Sequence, residues 1–504
     1  MPYKISLDTI YSILKAAKFI ISYLVVFLSS LSVTSAKADN CDFHDQALYA
    51  DINADQLVNC LSVDVISIYE FLPVVENADA WTIDSAIWKL SEASFDGLVS
   101  EKMGGIPVMH RAIGNERPEA VVTIAFNGFA VAPLSNKQSG SWLSGDKGTS
   151  PLHLAFKQNK TDHAAFLLSL GGFNTNEDLS GNTAEQYASG FSKELYNVAM
   201  GTYAEDVYSS PRRIEKLPSY KTSLSCNDFL TDSFFEMAKP DDVSACMTQG
   251  ANIDGANALN ETALHVAARS ADDPEVIWQL VSNLADFDQV KKALSKTNLE
   301  GNTPLHEASA NSKVPDIVTR LLFLGADLDA KNHKGQSSLH LAAKRTDVYA
   351  ELMSARLLSS YDASGFLNVK VPVDNKGNTP LHFAAQKDAY GVQTRLLLLA
   401  GFDPDLRNHD GTTPLMIAAE DKVDRSRQNE DFDRERFDDD DQFVSFLDLL
   451  AFSENPCEPV PDKYSENAGV TVYDIALNNT SLTKADNSGL DKPAIGYLID
   501  ECEK

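Results

Sequence analysis

Gly301-Asn302-Thr303-Pro304-Leu305-His306-Glu307-Ala308 is one of several near copies of a single phrase in this chain of 504 residues. Close variants begin at Gly148, Asn260, Gly335, Gly377 and Gly411, and a weaker one runs from Gly105 to Ala112. Measured on the motif histidine, His306 to His340 is 34 residues, and His382 to the equivalent Met416 is again 34. From His153 to Gln186 the step is 33, whereas His265 to His306 and His340 to His382 are 41 and 42, which puts insertions in loops of alternate units. Self-similarity at such a period predicts stacked supersecondary units, each unable to bury its apolar face alone.

Each position in the phrase has a physical reason. Thr303 and Thr379 can cap a helix N-terminus through the hydroxyl, and Pro304 and Pro380 fall at the first helical position, where the missing N–H costs nothing. Leu305, Leu339 and Leu381 are expected to point inward, while Ala308, Ala342, Ala343, Ala384 and Ala385 let a second, antiparallel helix approach closely. That helix is read at residues 317–324 and 392–399, ending at Gly325 and at Ala400-Gly401, where glycine suits a left-handed cap. The segments Asn298–Gly301, Asn332–Gly335 and Asn408–Gly411 supply the turns between units. The phrase Thr-Pro-Leu-His-x-Ala resembles the signature of ankyrin repeats. The resemblance implies an all-α solenoid of helix-turn-helix units with short β-hairpin loops, and a partner bound at the hairpin tips and the concave groove.

The N-terminus carries Lys4, Lys15 and Lys18, an apolar run over 19–33, then Ala36-Lys37-Ala38. That order is the one found in secretory signal peptides and predicts cleavage after Ala38; an uncleaved membrane anchor is the alternative. With Asn40 before Cys41, a lipoprotein box is missing, so the product is expected to be secreted or periplasmic without a stable membrane anchor. The formal net charge is −29; residues 1–38 carry +3, so the remainder is near −32. Nucleic acid and anionic membrane surfaces are disfavoured as partners by such a charge.

Six cysteines contain no C-x-x-C pair, and export makes disulfides the expected state. Cys41 to Cys60 spans 19 residues and Cys226 to Cys246 spans 20. The two intervals also match inside: Asp42-Phe43 corresponds to Asp228-Phe229, Leu48-Tyr49 to Phe234-Phe235, and Leu57 to Val243. Each interval precedes an array of repeats and is read as a degenerate capping helix pair, closed by a disulfide contributing about 3 kcal/mol. Cys457 and Cys502 would close a C-terminal cap around the weak repeat at Gly469. The expected organisation is a signal peptide at 1–38, an array at 39–203, a linker at 204–222 rich in breakers and charge, and a second array at 223–504. Residues 62–103 lack the motif and are read only as mostly helical. Capped, exported arrays of this kind resemble a group of bacterial ankyrin-repeat proteins.

No catalytic constellation, cofactor motif or metal-ligand spacing is present. His110, His153, His265, His306, His340 and His382 occupy the repeat position and are read as structural, and His44, His163, His333 and His409 form no ligand pair. The acidic stretch Asp431–Asp441 lacks the spacing of an EF-hand loop and is read as a solvated insertion, with a calcium site as the alternative. Residues just after the Ala-Ala pairs are basic in mid-array: Arg269, Lys344-Arg345 and Lys387. The hairpin tips add Lys331, Lys334, Lys376 and Arg407. In so acidic a chain this strip is expected to capture a protein partner with an acidic segment. The reading is therefore a noncatalytic interaction scaffold; an inhibitor or immunity-type protein with one tight target, and a hydrolase with residues in the motif-poor regions, are the alternatives.

Overall fold

The computed structural model describes, with short breaks, residues 66–90, 108–131, 148–188, 224–359, 371–387, 391–420 and 442–503, together with Phe43, Cys60 and Phe95. The expected signal peptide, linker and acidic stretch Asp431–Asp441 lie outside them. Among the described residues there is no β-strand, only isolated bridges at Ile66–Leu90 and Ala256–Thr262. The chain divides into two compact units, Met1–Ala188 with Asp388–Lys504, and Ser189–Lys387.

The first unit begins with helix pairs. Helices α1 (Ile68–Asn77) and α2 (Ala80–Lys89) occupy the stretch where no motif is present, and pack on α3 (Val108–Gly114) and α4 (Glu119–Phe126). The pair α5 (Pro151–Lys157) and α6 (Thr161–Ser169) follows.

The second unit is a regular stack. Its cap consists of α7 (Asp232–Phe235) and α8 (Pro240–Thr248), joined by the Cys226–Cys246 disulfide. Phe229, Phe234 and Phe235 cluster beneath it with ring centroids 5.1–5.6 Å apart. Three pairs follow. They are α9 (Ala263–Ser270) with α10 (Glu275–Val281), then, after α11 (Phe287–Leu294), α12 (Pro304–Asn311) with α13 (Pro315–Phe323), and α14 (Ser338–Ala343) with α15 (Ala350–Leu358). The last inner helix is α16 (Pro380–Lys387). Inner helices α9, α12, α14 and α16 pack in series, as do outer helices α10, α13 and α15. Helix α11 is the insertion behind the 41-residue spacing. Its Val290, Ala293 and Leu294 are buried, and Phe287 lies against Gly325.

One device builds every tip. The Asn298 side-chain oxygen accepts the N–H groups of Glu300 and Asn302 at 2.9 and 3.0 Å, and Asn332 does the same for Lys334 and Gln336. Asp374, Asn257, Asn408 and Asp178 repeat the pattern in their own loops. A short polar side chain bonding its own backbone two residues on fixes the turn locally. Tips then join in series: Leu299 N–H donates to Leu259, His333 N–H to Glu300, and Asn375 N–H to Lys334, at 3.0–3.1 Å. Gly335, at φ +73°, must be glycine twice over, because a Cβ there would lie 2.7 Å from the Asn375 nitrogen.

The motif histidines link each unit to the next. The Thr303 N–H donates to Nδ1 of His306, so that nitrogen carries no proton and Nε2–H donates to the Gln336 carbonyl at 2.9 Å. His265 and His340 do likewise toward Asn302 and Asn378, both at 3.0 Å. Burial favours the uncharged ring: it holds His306 and His265 below the ordinary imidazole value and lowers His340 to about 4, against the opposing effect of the hydrogen bonds to Gln336, Asn302 and Asn378.

The chain returns to the first unit with α17 (Val392–Leu399), α18 (Pro414–Ala419), α19 (Gln442–Phe452), α20 (Val472–Ala476), α21 (Thr480–Thr483) and α22 (Ala494–Cys502). The Cys457–Cys502 disulfide anchors α22, which packs on α19, α20 and α21. Buried Arg395 of α17 explains why both ends of the chain share a unit. It donates to Asp448 at 2.8 Å and to Asp84 at 3.1 Å, and its guanidinium lies 4.8 Å from the Phe126 ring centroid. Phe126 in turn stacks on Phe452 at 5.5 Å. Cys60 is disulfide-bonded, and Cys41, its expected partner, is outside the described residues.

Candidate interaction groove

A groove of about 540 Å³ runs across the second unit, between the hairpin tips and the inner helices α9, α12 and α14. Its floor is a buried polar network centred on Glu307, which stands where the other strong copies of the motif carry Leu154, Val266, Leu341, Phe383 and Ile417. Glu307 is 5% exposed and accepts from Asn298 and Asn302 at 2.9 Å, Asn311 at 3.1 Å and Arg269 at 3.4 Å. Asn332 extends the chain of bonds to Asn302 at 2.9 Å. A buried carboxylate is tolerable only with donors converging on it in this way.

Two members of the expected basic strip belong to that fabric. Arg269 is held by Glu261 at 2.6 Å, Asp232 at 2.9 Å and Glu307 at 3.4 Å. Burial would push its pKa down, but the hydrogen bonds it donates to Glu261 and Asp232 raise it above the ordinary arginine range. The same bonds hold Glu261 and Asp232 below the usual carboxylate range, against the opposing effect of burial. Arg345 is buried, paired with Asp347 at 2.6 Å and bonded to the Ser309 carbonyl at 3.3 Å. These two cations are already neutralised, which narrows the strip.

Lys334 and Lys344 line the groove and are exposed. Lys344 Nζ lies 6.0 Å from the Phe383 ring centroid. Lys331 and Lys376 are exposed on the tips, and Lys331 donates to the Val373 carbonyl at 2.8 Å. The Lys387 side chain falls outside the described residues. Arg407 belongs to the other unit, where it donates to the carbonyls of Gly411 at 2.8 Å and Glu458 at 3.1 Å. One groove edge is apolar: Leu259 and Leu299, on hydrogen-bonded neighbouring tips, are 57% and 63% exposed.

The outer helices carry charges that the motif does not announce. Arg356 of α15 is 1% exposed and reaches back to Asp316 at 2.6 Å and Thr319 at 2.7 Å, both on α13. Arg320 of α13 reaches back in the same way to Glu275 of α10. Their signal in the sequence is the recurring Arg-Leu-Leu at 320–322, 356–358 and 395–397. His163, which stands outside the motif, is also structural: its Nε2 bonds the Asn115 carbonyl at 2.9 Å, and burial lowers it to about 4.

Among the described residues no cluster of three or more His, Cys, Asp or Glu is placed to hold a metal ion, and no helix is long and apolar enough to cross a membrane. Paired helices, histidine-bridged tips and a groove along the inner row define an all-α ankyrin-repeat solenoid, a fold of protein–protein interaction modules. Residues 237–332 and 305–397 match the family model "Ankyrin repeats (3 copies)". The chain is 37% identical over 135 residues to neurogenic locus notch homolog protein 1 of Mus musculus and 36% identical over 135 residues to that of Homo sapiens. It is 42% identical over 104 residues to the neurogenic locus Notch protein of Drosophila melanogaster. These stretches are 24%, 24% and 20% of this chain but only 5%, 5% and 4% of those proteins, so the chain spans about one-twentieth of the length of the curated relatives it matches.

Proposed function

We propose that this protein is an exported, noncatalytic scaffold whose groove between the hairpin tips and inner helices α9, α12 and α14 captures a protein partner bearing an acidic segment. The observation that carries this reading is the pair Lys334 and Lys344. Both are exposed and line the groove, and no carboxylate pairs with either among the described residues. In a chain of net charge −29, an open cationic site is a local attraction set against general repulsion. Stacked repeats also hold the groove rigid, which lowers the entropy lost on binding. Export is supported by the order of charge, apolar run and small residues before Asp39, and by the Cys226–Cys246 and Cys457–Cys502 disulfides, which persist in oxidising compartments.

A photo-crosslinker placed at Ala310, which lines the groove, with one at exposed Lys292 as the control, tests the reading in the protein's own exported fraction. One partner crosslinked through position 310 and not through 292 is the expected result. Equal labelling from both positions would contradict a groove-directed scaffold.

A further inference from the structure

The groove has a second feature beyond its lysines. Gln336 lines it and is only 5% exposed, yet its side-chain amide has no hydrogen-bond partner among the described residues. The backbone of the same residue is fully used, its N–H by Asn332 and its carbonyl by His306. Equivalent side chains in the flanking units are occupied: Asn302 donates to Glu307, and Asn378 to Asp374. The amide atoms of Gln336 are open to the groove, so a ligand there can take up hydrogen bonds that water otherwise makes. Lys334, two residues earlier on the same tip, and Lys344, at the end of α14, bring two ammonium groups to the same groove. One and two repeats away, Leu299 and Leu259 present exposed aliphatic side chains on tips joined by a backbone hydrogen bond.

We propose that Lys334, Gln336 and Lys344 form a subsite that reads a single carboxylate, and that Leu259 and Leu299 form its apolar anchor. This rests on the groove being the binding face. Gln336 donates an amide N–H to one carboxylate oxygen while the lysines supply charge, a combination that favours Asp or Glu over their amides. The occupant is an extended protein segment. Adjacent packed helices lie about 8–10 Å apart and an extended chain rises about 3.3 Å per residue, so the segment carries an apolar side chain about three residues from the Asp or Glu.

Random dodecapeptides displayed on phage and selected against the oxidised full-length chain test this. The expected outcome is a consensus with an aliphatic or aromatic residue about three positions from Asp or Glu. Changing that carboxylate to its amide in a synthetic peptide should weaken binding about tenfold, as should Gln336→Leu or the pair Lys334→Gln and Lys344→Gln in the protein, with unfolding midpoints unchanged. Leu299→Asp should weaken it similarly. A consensus without a carboxylate, a carboxylate at no fixed spacing, full affinity for the Lys334→Gln/Lys344→Gln protein, or no enrichment at all would overturn the proposal. A partner crosslinked through position 310 alongside any of those results leaves the groove as the binding face and removes only the carboxylate code. Equal labelling at 310 and 292 removes the face itself.

Discussion

The front and back of the stack between residues 257 and 387 use their cations in opposite ways. At the back, Arg356 is sealed between outer helices and bonded to Asp316 and Thr319, and Arg320 meets Glu275. At the front, Lys334 and Lys344 stand in the groove without a carboxylate. Removing a buried arginine empties its site and breaks its bonds, which is costly, whereas an exposed lysine makes little difference to folding. Arg269 and Arg345 show that sequence position does not decide the matter. Both lie on the front, yet both are bound by carboxylates and act like the arginines behind them.

The contrast is sharpest in stability measurements. Arg356→Ala should destabilise the second unit by about 3–5 kcal/mol, because a large, fully buried side chain leaves a cavity and its bonds to Asp316 and Thr319 are lost; urea unfolding that moves by less than about 1 kcal/mol would make the back pair dispensable. Next in size is the cap. Replacing Cys226 and Cys246 with Ser should cost about 3 kcal/mol, read as a lower urea midpoint in oxidised protein.

Acid comes third, and acts through the histidine bridges. His110, His163 and His340 sit at about 4 in the folded chain against 6.5 when unfolded, so between those values the unfolded state binds the extra protons. Stability is therefore complete above about pH 7 and falls as pH drops from 6.5 toward 4. Urea midpoints at pH 7.5 and pH 5 should differ clearly, and equal midpoints would contradict the neutral bridges. Gly335→Ala follows, at about 1 kcal/mol or more, from its positive φ and the Asn375 nitrogen beside it. Smallest of all, Lys344→Glu should leave the unfolding midpoint within about 0.5 kcal/mol while removing partner capture.

The repeat frame was readable because each of its parts is local: Thr303, Pro304 and His306 lie within one turn and carry their own cap. The pair α1 and α2 was not, since residues 68–89 bury their faces without the phrase. Arg269 shows the same limit at the site. Its three carboxylates, Asp232, Glu261 and Glu307, come from three different units, and only packing brings them together. Glu307 was visible in principle, as a charge at a position that the other strong copies of the motif fill with Leu154, Val266, Leu341, Phe383 and Ile417. Arg395 was beyond reach, because Asp84 lies 311 residues away along the chain.

The central claim is that the exposed front lysines bind while the buried back arginines hold the fold. Its most direct test is crosslinking through position 310 in the otherwise native chain and in the Lys334→Glu/Lys344→Glu variant, with urea unfolding followed on the same samples. The account predicts loss of the crosslinked partner in the variant at an unchanged unfolding midpoint. Partner capture that survives both substitutions would contradict it.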